Sequence, residues 1–513
     1  MREQPAGSQE GMPSRFEALQ RKLVPLWAHI GRSDPGSDHL EAPNTVVVLP
    51  SMTVDMALDA PTRQGYEERM LFMLFLLRQP FVRLIYLSST PIAAETIDYY
   101  LDILPSVTSR HARQRLFLLS PDDASEGPLV DKLLARPRLV QRIRSLIPDL
   151  DQAHLVPFLT TDRERELALA IGIPMYAADP RHFAFGTKSG CRRIFAEEGV
   201  THPIGVEDIR GEAELVDAIA AMRARKPGLE RLIVKHDEGV SGLGNATLSL
   251  VGLPPAGDAR ERERIQARLA ELAFERADVD YAWYMAQLAQ RGGIVEEMVT
   301  GRTLLSPSAQ LRISPLGEVE LLSTHDQLLG GPGGQTYLGA RFPADPAYGP
   351  LIVHEAEKIG RRFAREGIVG RFAVDFVVVQ DAAGSWSAQA IEVNLRKGGT
   401  THPFLTLQYL TDGRYDPEDG IFRTARGLPK AYVATDTLKS ERYARLTADD
   451  LYALVSEHRL HYDHTSQTGV VLHMQSAVGS HGKLGLTAIG NSPAEADALY
   501  ARFVAALEAS LDG

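Results

Sequence analysis

The stretch GRFAVDFVVVQDAAGSWSAQAIEVNLRKGG, residues 370–399, predicts a β-hairpin whose polar side chains form a metal site. Its first arm, residues 371–379, is rich in Val and Phe, and a glycine-containing loop separates it from a second arm, residues 387–395. Asp375 lies inside the apolar first arm, where burial of an uncompensated carboxylate is costly. We therefore expect a cation or hydrogen-bond donors beside Asp375.

The second arm predicts one chemical face and one core face, because side chains alternate along a strand. Strict alternation puts Ala388, Ala390, Glu392, Asn394 and Arg396 on one face and Gln389, Ile391, Val393 and Leu395 on the other. Two carboxylates and an amide oxygen suit Mg²⁺ shared with phosphate better than zinc. Asp375, Glu392 and Asn394 are the predicted metal ligands, with Arg396 beside the phosphates. A solvated hairpin face is the alternative for the second arm, although it leaves Asp375 unexplained.

Length and composition indicate a multidomain globular protein. The 513 residues are 44% hydrophobic and 24% charged, and they suggest about three domains. A net charge of −11 with dispersed Lys and Arg gives no basic surface for nucleic acid. The single cysteine, Cys191, excludes an intrachain disulfide and fits a reducing compartment, so the cytoplasm is the expected location. The most apolar run, residues 70–77, is too short to cross a bilayer, predicts a buried helix and gives no reason to expect a membrane partner.

Residues 41–180 alternate strand and helix patterns after a leader and linker at residues 1–40, and they predict a Rossmann-like three-layer unit. The predicted helices include one near residues 66–77 and one long helix at residues 130–147. No GxGxxG follows the first strand, which argues against dinucleotide binding there.

Residues 181–428 contain further candidates for an anion site. Lys188 opens a helical stretch, and Lys235 lies in a strand that precedes a glycine-rich segment containing Ser241, Gly242 and Gly244. Such a lysine can reach a phosphate while backbone N–H groups of the loop close over it, although a strand-edge lysine before a hairpin turn gives the same pattern.

A strand with the paired acids Glu296 and Glu297 follows, and then a loop at residues 330–334 that is either a substrate lid or a wide turn. Residues 429–513 predict a separate small α+β domain.

The order of these features resembles the ATP-grasp superfamily: two lysines, a glycine loop, an apolar strand ending in two acids, and a D…ExN hairpin. The phrases IEVNLRKGGTTHPF and STHDQLLGGPGGQTYLG look more narrowly like the pheganomycin-type peptide ligase family. The resemblance covers most of the chain after about residue 40. It implies multidomain α/β and α+β architecture with a Rossmann-like pre-ATP-grasp domain, an ATP-grasp domain and a small C-terminal domain.

The resemblance also implies roles for residues. Lys188 and Lys235 would contact the phosphates of ATP, and residues 241–244 would cover them. Glu296, with Glu297 and the backbone near Val299, would hold the adenine end. Asp375, Glu392 and Asn394 match the Mg²⁺ ligands, with Mn²⁺ as a substitute metal. Arg396 matches the basic residue beside the transferring phosphoryl group, and Arg371 is a second candidate.

The implied reaction is ATP-dependent activation of a carboxylate to an acyl phosphate, followed by attack of an amine. The expected partners are small-molecule or peptide carboxylates and amines, and a homo-oligomer is left open. An ATP-dependent kinase and a non-catalytic nucleotide-binding protein are the two alternatives.

Overall fold

The structure, a computed structural model, describes residues 12–30, 43–53, 59–239, 244–276, 279–331, 334 and 336–512. In this part of the chain, no helix combines the length and apolar character needed to cross a membrane.

The first region is a parallel four-stranded sheet, in the order β3-β2-β1-β4, with helices around it. Strands β1 and β4 are buried along their whole length, as a parallel sheet covered on both faces requires. Its elements are α1 Met12–Gln20, α2 Leu23–Ile30, β1 Asn44–Leu49, α3 Ala60–Glu68, a 3₁₀ helix Leu71–Arg78, β2 Val82–Leu87, α4 Ala94–Asp102, α5 Ser109–Arg113, β3 Leu116–Leu119, α6 Leu129–Leu134, α7 Pro137–Ser145, a 3₁₀ helix Leu150–Gln152, β4 Ala153–Pro157, α8 Asp162–Ile171 and a 3₁₀ helix Pro180–Gly186.

Two predicted helices of this region differ from the structure. The run near residues 66–77 is the end of α3 followed by the buried 3₁₀ helix, rather than one α-helix. The predicted long helix at residues 130–147 is two helices, α6 and α7. Pro137 explains this second difference, because proline lacks the N–H that would continue α6 but fits the first turn of α7.

The second region is an antiparallel five-stranded sheet in the order β5-β9-β6-β7-β8. Helices α10, α11 and α12 share one apolar core with it, centred on side chains such as Leu232, Val234 and Val295. The elements are α9 Lys188–Glu197, β5 Gly205–Val206, α10 Glu212–Arg225, β6 Arg231–His236, β7 Asn245–Ser249, α11 Glu261–Arg268, a 3₁₀ helix Leu269–Glu271, β8 Ala273–Phe274, α12 Tyr281–Arg291 and β9 Gly293–Glu297.

The third region forms an eleven-stranded sheet whose path runs β10-β14-β11-β12-β13-β18-β17-β16, with β15 on β14 and with β20 joining β18 to β19. The elements are β10 Thr303–Leu305, β11 Pro307–Ile313, β12 Val319–Gly330, β13 Thr336–Phe342, α13 Gly349–Arg365, β14 Gly370–Gln380, β15 Trp386–Asn394, α14 Thr401–Thr411, β16 Arg414–Asp416, β17 Ile421–Arg423, β18 Pro429–Lys439, a 3₁₀ helix Glu441–Arg445, α15 Ala448–Glu457, β19 Gly469–His473, α16 Ser476–His481, β20 Lys483–Gly490 and α17 Pro493–Ala509.

The last part of the chain extends this same sheet, because β18 pairs with both β13 and β20. It also packs on the first region: one core cluster contains Val46, Phe75, Phe404 and Tyr432. The division of the chain at residue 428 therefore stays a prediction, and it does not coincide with a break in the sheet.

The predicted hairpin is present as the antiparallel pair β14 and β15, but a bulge changes which faces its residues occupy. The register shifts between Asp375, which faces Glu392, and Phe376, which faces Ala390, so that Ile391 is the extra residue. Ala388 and Ala390 belong to the apolar core with Val393, whereas Ile391 and Glu392 both line the cleft described below. The prediction that the two alanines share the face of Glu392 was wrong, since strict alternation cannot anticipate a bulge.

We expect Gly370→Ala to destabilise the start of this hairpin by roughly 1–3 kcal/mol, the cost of a strained backbone conformation plus a collision. Gly370 has φ +110°, and an added Cβ would lie 2.8 Å from the Cα of Ala177. The measurement is the apparent melting temperature.

Gly384→Ala is the matched control, because Gly384 also has a positive φ, +87°, but an added Cβ there meets nothing within 4 Å. An equal loss of stability in the two variants would show that contact with Ala177 is unimportant.

Candidate active site

The paired strands β14 and β15 bring two acidic side chains together. Asp375 lies directly across from Glu392 in the strand register. Asp375 accepts hydrogen bonds from the side-chain amides of Gln327 and Asn394, both at 2.9 Å. Lys188 reaches Glu392 from α9, with 2.7 Å between Nζ and Oε1. The hydrogen-bond donors expected beside Asp375 are therefore present, and the cation Lys188 pairs with Glu392.

The two carboxylates have opposite pKa shifts. Burial, and then the negative charge of Glu392, raise the pKa of Asp375 to about 7. Burial also acts to raise the pKa of Glu392, but Lys188, Lys235 and Arg396 outweigh it and hold the pKa below its usual range. The charge of Glu392 is thus balanced by Lys188, whereas the charge of Asp375 is not fully balanced by the cations around it.

This arrangement fits a divalent cation. A cation between the carboxylates would supply the positive charge that Asp375 lacks, and hard oxygen ligands are those that Mg²⁺ prefers. Asn394 donates to Asp375, so its amide could turn to present its oxygen instead. Within the described residues, no group of three or more His, Cys, Asp or Glu side chains could hold a metal ion.

The position of Lys188 is fixed by the start of α9. The side chain of Thr187 caps this helix by accepting from the backbone N–H of Gly190. The backbone N–H of Ser189 donates to the carboxylate of Asp237 at 2.7 Å, and that of Lys188 donates to the Asp237 carbonyl. Because Asp237 directly follows β6, these bonds tie Lys188 to the strand that carries Lys235.

Lys235 and Glu296 form a buried ion pair between neighbouring strands β6 and β9. The Nζ of Lys235 lies 2.6 Å from Glu296, whose other oxygen lies 2.8 Å from Arg192. Glu296 is only 1% exposed, so these cations hold its orientation. Glu297 points elsewhere and pairs with the half-exposed Lys226 at 2.6 Å. Glu296 and Glu297, which were both predicted to bind at the adenine end, therefore have different ion-pair partners.

The structure describes the predicted glycine loop only up to residue 239 and again from residue 244. Gly244 has φ +91°, and an added Cβ would lie 2.9 Å from Nδ1 of His236, so a side chain would fit poorly there. The Gly244 carbonyl accepts a hydrogen bond from the hydroxyl of Tyr284 at 2.9 Å. Ser241 and Gly242 lie outside the described residues.

A cleft of about 480 Å³, here called the main cleft, passes between the two antiparallel sheets. Its lining includes Glu296, Glu297 and Val299. The same cleft is lined by Lys235 and by Asp375, Glu392, Asn394 and Arg396. A second cavity of about 560 Å³ contains Lys188 and Gly244 and shares Glu392, Asn394 and Arg396 with the main cleft. Most predicted site residues thus meet at one place.

Arg371 is the exception. It lines neither cavity, and the groups that affect its pKa are Arg312, Tyr409, Tyr176 and Glu320, on the side of the first region. Burial lowers its pKa, and Arg312 lowers it further. Arg396 is the arginine that lies beside the carboxylates, since Glu392 and Asp375 both affect its pKa.

Sequence reasoning missed several polar residues of the main cleft, among them Gln327, Arg69 and Asp436. Gln327 belongs to the quoted phrase STHDQLLGG, so its alternation along β12 could have indicated it. Arg69 and Asp436 are 367 residues apart, and no local pattern joins them.

Comparison with known proteins places the chain in a family. A family model described as "IQCH-like, ATP-grasp" matches residues 182–279 and 259–418, and one described as "PGM1 C-terminal domain" matches residues 450–503. The L-propargylglycine–L-glutamate ligase of Streptantibioticus cattleyicolor is 31% identical over 484 residues, which are 93% of this chain and 95% of that protein.

Two further comparisons are more distant. The IQ motif-containing protein H of Danio rerio is 24% identical over 71% of this chain, which spans 38% of that longer protein. A solved ADP complex of N5-carboxyaminoimidazole ribonucleotide synthetase shares the fold, with a TM-score of 0.51 and 12% identity over 92% of this chain and 99% of that one. With the ligase relative matched along nearly its whole length, the chain belongs to the ATP-grasp superfamily and, within it, to the pheganomycin-type peptide ligase family of carbon–nitrogen bond-forming enzymes.

Proposed function

We propose that this enzyme joins a carboxylic acid to an amine through an acyl phosphate, with release of ADP and phosphate. The observation that carries the proposal is the opposed pair Asp375 and Glu392, with Lys188 on Glu392 and Arg396 in the same cleft. Such a site neutralises charge on phosphate oxygens and needs no protein nucleophile.

ATP is assigned to the stretch of the main cleft that runs from Val299 to Glu392. Glu296, Glu297 and the backbone near Val299 would face the adenine end. Lys235 and Lys188 would contact phosphates, and in doing so each would exchange its present carboxylate partner for a phosphate oxygen. The proposed cover over the phosphates is the segment that contains Ser241, Gly242 and Gly244.

Asp375, Glu392 and Asn394 would hold Mg²⁺, and Mn²⁺ is a proposed substitute because it also accepts hard oxygen ligands. The metal would neutralise charge on the phosphate oxygens during transfer. Asp375 and Glu392 bind and orient, and the cationic Arg396 is placed to stabilise the acyl phosphate. Arg371 has no role in this reaction, because it lines neither cavity.

Bond making and breaking balance in two steps. First, a carboxylate oxygen of the acid attacks the γ-phosphorus of ATP, and the bond to the ADP oxygen breaks. Then the amine nitrogen attacks the acyl carbon, the carbon–oxygen bond to phosphate breaks, and the amine loses a proton. Holding both substrates in one cleft favours this second step over attack by water.

Amino acids are the proposed substrate class, because the relative that matches most of the chain is named for the ligation of L-propargylglycine and L-glutamate. We further propose that the enzyme works in the cytoplasm. It would act on small molecules or short peptides rather than on nucleic acid or at a membrane. Assembly into a homo-oligomer is compatible with it.

The proposed reaction predicts that ADP release depends on two substrates at once. Pools of amino acids, short peptides and polyamines are tested alone and in pairs, with ADP formation as the readout. A ligase gives fast ADP release when an acid and an amine are both present. A kinase would give full ADP release with one compound, and that result would contradict the proposal, as would a complete lack of turnover.

Glu392→Gln is expected to reduce Mg²⁺-dependent turnover by a factor of about 100 or more, because the amide keeps a hydrogen-bond acceptor but loses the charge that holds a cation. The measurement is ADP release over a Mg²⁺ titration, with the melting temperature as the test of folding.

Glu261→Gln is the matched control. Glu261 is buried in an ion pair with Arg223, between α10 and α11, and it lines neither cavity. Its loss should lower stability but leave the Mg²⁺ dependence unchanged. Near-normal turnover of a folded Glu392→Gln variant would remove Glu392 from the metal site.

A further inference from the structure

A second buried ion pair lines the main cleft. Arg69, just after α3, contacts Asp436 of β18, with 2.6 Å between Nη1 and Oδ2. The side chains are 8% and 6% exposed, yet both line the same cleft as Arg396 and Asp375. The nucleotide assignment uses neither residue. The pair therefore supplies two charged side chains in the part of the cleft that is not assigned to ATP, where the acid and the amine would bind.

Arg69 packs against two aromatic rings. Its guanidinium has more N–H groups than its contact with Asp436 uses, so a ligand could accept hydrogen bonds from it. Its guanidinium lies over the rings of Tyr66 and Phe158, at 4.9 and 5.0 Å from their centroids. Both rings also line the cleft. Among the residues that the structure describes, Asp436 is the hydrogen-bond acceptor of this guanidinium, which has five N–H groups in a rigid fork.

The pair shares one cleft with the proposed reacting groups. Arg69 and Asp436 line the main cleft together with Arg396, Asp375 and Glu392. Asp436 raises, and Arg69 lowers, the pKa of the buried His473, which burial brings to about 4. Gly398 and Gly399, which follow Arg396 closely in the chain, line the same cleft as the pair. A substrate that lies in this cleft beside Arg396 can therefore also contact Arg69 and Asp436.

Joining two amino acids leaves one charged end on each that does not react. The acid that is phosphorylated keeps its ammonium group, and the amine that attacks keeps its carboxylate. A site for this reaction needs one fixed anion and one fixed cation beside the acyl phosphate, since buried charges without partners are costly. Arg69 and Asp436 supply that combination.

We propose that Arg69 binds the unreacting carboxylate of the acceptor and that Asp436 binds the unreacting ammonium of the donor, so that both substrates are α-amino acids or peptides joined through their α-groups. This inference rests on the proposed ligase function. Without substrates the two side chains neutralise each other. With both substrates bound, each exchanges part of that contact for an oppositely charged substrate group, and no charge is left unpaired.

The first test uses the unmodified enzyme. The common L-amino acids are offered in pairs, together with the matching acceptor carboxamides and the matching donors that lack the amino group, and kcat/KM is measured by ADP release and product mass. We expect the free amino acids to be preferred by at least about tenfold at both positions, because a buried charge rejects an analogue that leaves it unpaired.

The second test uses Arg69→Gln and Asp436→Asn. Arg69→Gln should reduce the preference for an acceptor acid over its carboxamide by at least about tenfold, and Asp436→Asn should do the same for the donor amino group. Arg223→Gln is the matched control, since the Arg223–Glu261 pair is equally buried, with side chains 6% and 7% exposed, but lines neither cavity. It should change neither preference.

The outcomes separate the two proposals. If the unmodified enzyme uses acceptor carboxamides or amino-free donors as well as the free amino acids, the role proposed for the pair is wrong. The amide product formed in the same experiment would still support the ligase function. Unchanged preferences in the folded variants would also overturn that role and would leave the pair as a contact between distant parts of the chain. No ADP release with any pair of substrates would overturn the ligase function, and this inference with it.

Discussion

The structure of the candidate active site depends on the placement of Asp375 directly across from Glu392 in two paired strands. Two partly buried carboxylates at facing positions of paired strands are unfavourable unless positive charge surrounds them. The chain supplies that charge from several elements: Lys188 from α9, Lys235 from β6 and Arg396 from the end of the hairpin. These cations and acids come from both antiparallel sheets, so the requirement for charge balance ties the sheets together around the main cleft.

Much of the fold could be predicted, because strong local patterns specify it. The apolar strands of the first region, the hairpin arms, and the lysines in their strand and helix are all readable from composition and alternation. Where a local rule was interrupted, the prediction failed. Pro137 divides a predicted helix, and the bulge at Ile391 moves Ala388 and Ala390 into the core. The bulge also allows consecutive residues, Ile391 and Glu392, to face the cleft, which strict alternation forbids.

The part of the site that the sequence could not show is formed by long-range packing. Arg69 follows α3 near one end of the chain and Asp436 lies on β18 near the other, and they meet because β18 extends the large sheet while its neighbours share a core with the first region. Alternation could point to Gln327, but no spacing rule points to a pair of this kind. The contrast follows from physics. Facing positions on paired strands are set by a local pattern, whereas residues such as Arg69 and Asp436 meet only because distant parts of the chain pack together.

The central claim is that the carboxylate of the acid attacks the γ-phosphorus of ATP before the amine attacks. The most direct measurement follows a heavy oxygen isotope placed in the carboxylate of the acid. During amide formation, one labelled oxygen should appear in inorganic phosphate, in an amount equal to the ADP released, because the amine expels phosphate from the acyl carbon. Label found in AMP would instead show attack on the α-phosphorus, and it would contradict both the acyl phosphate and the role proposed for Arg396.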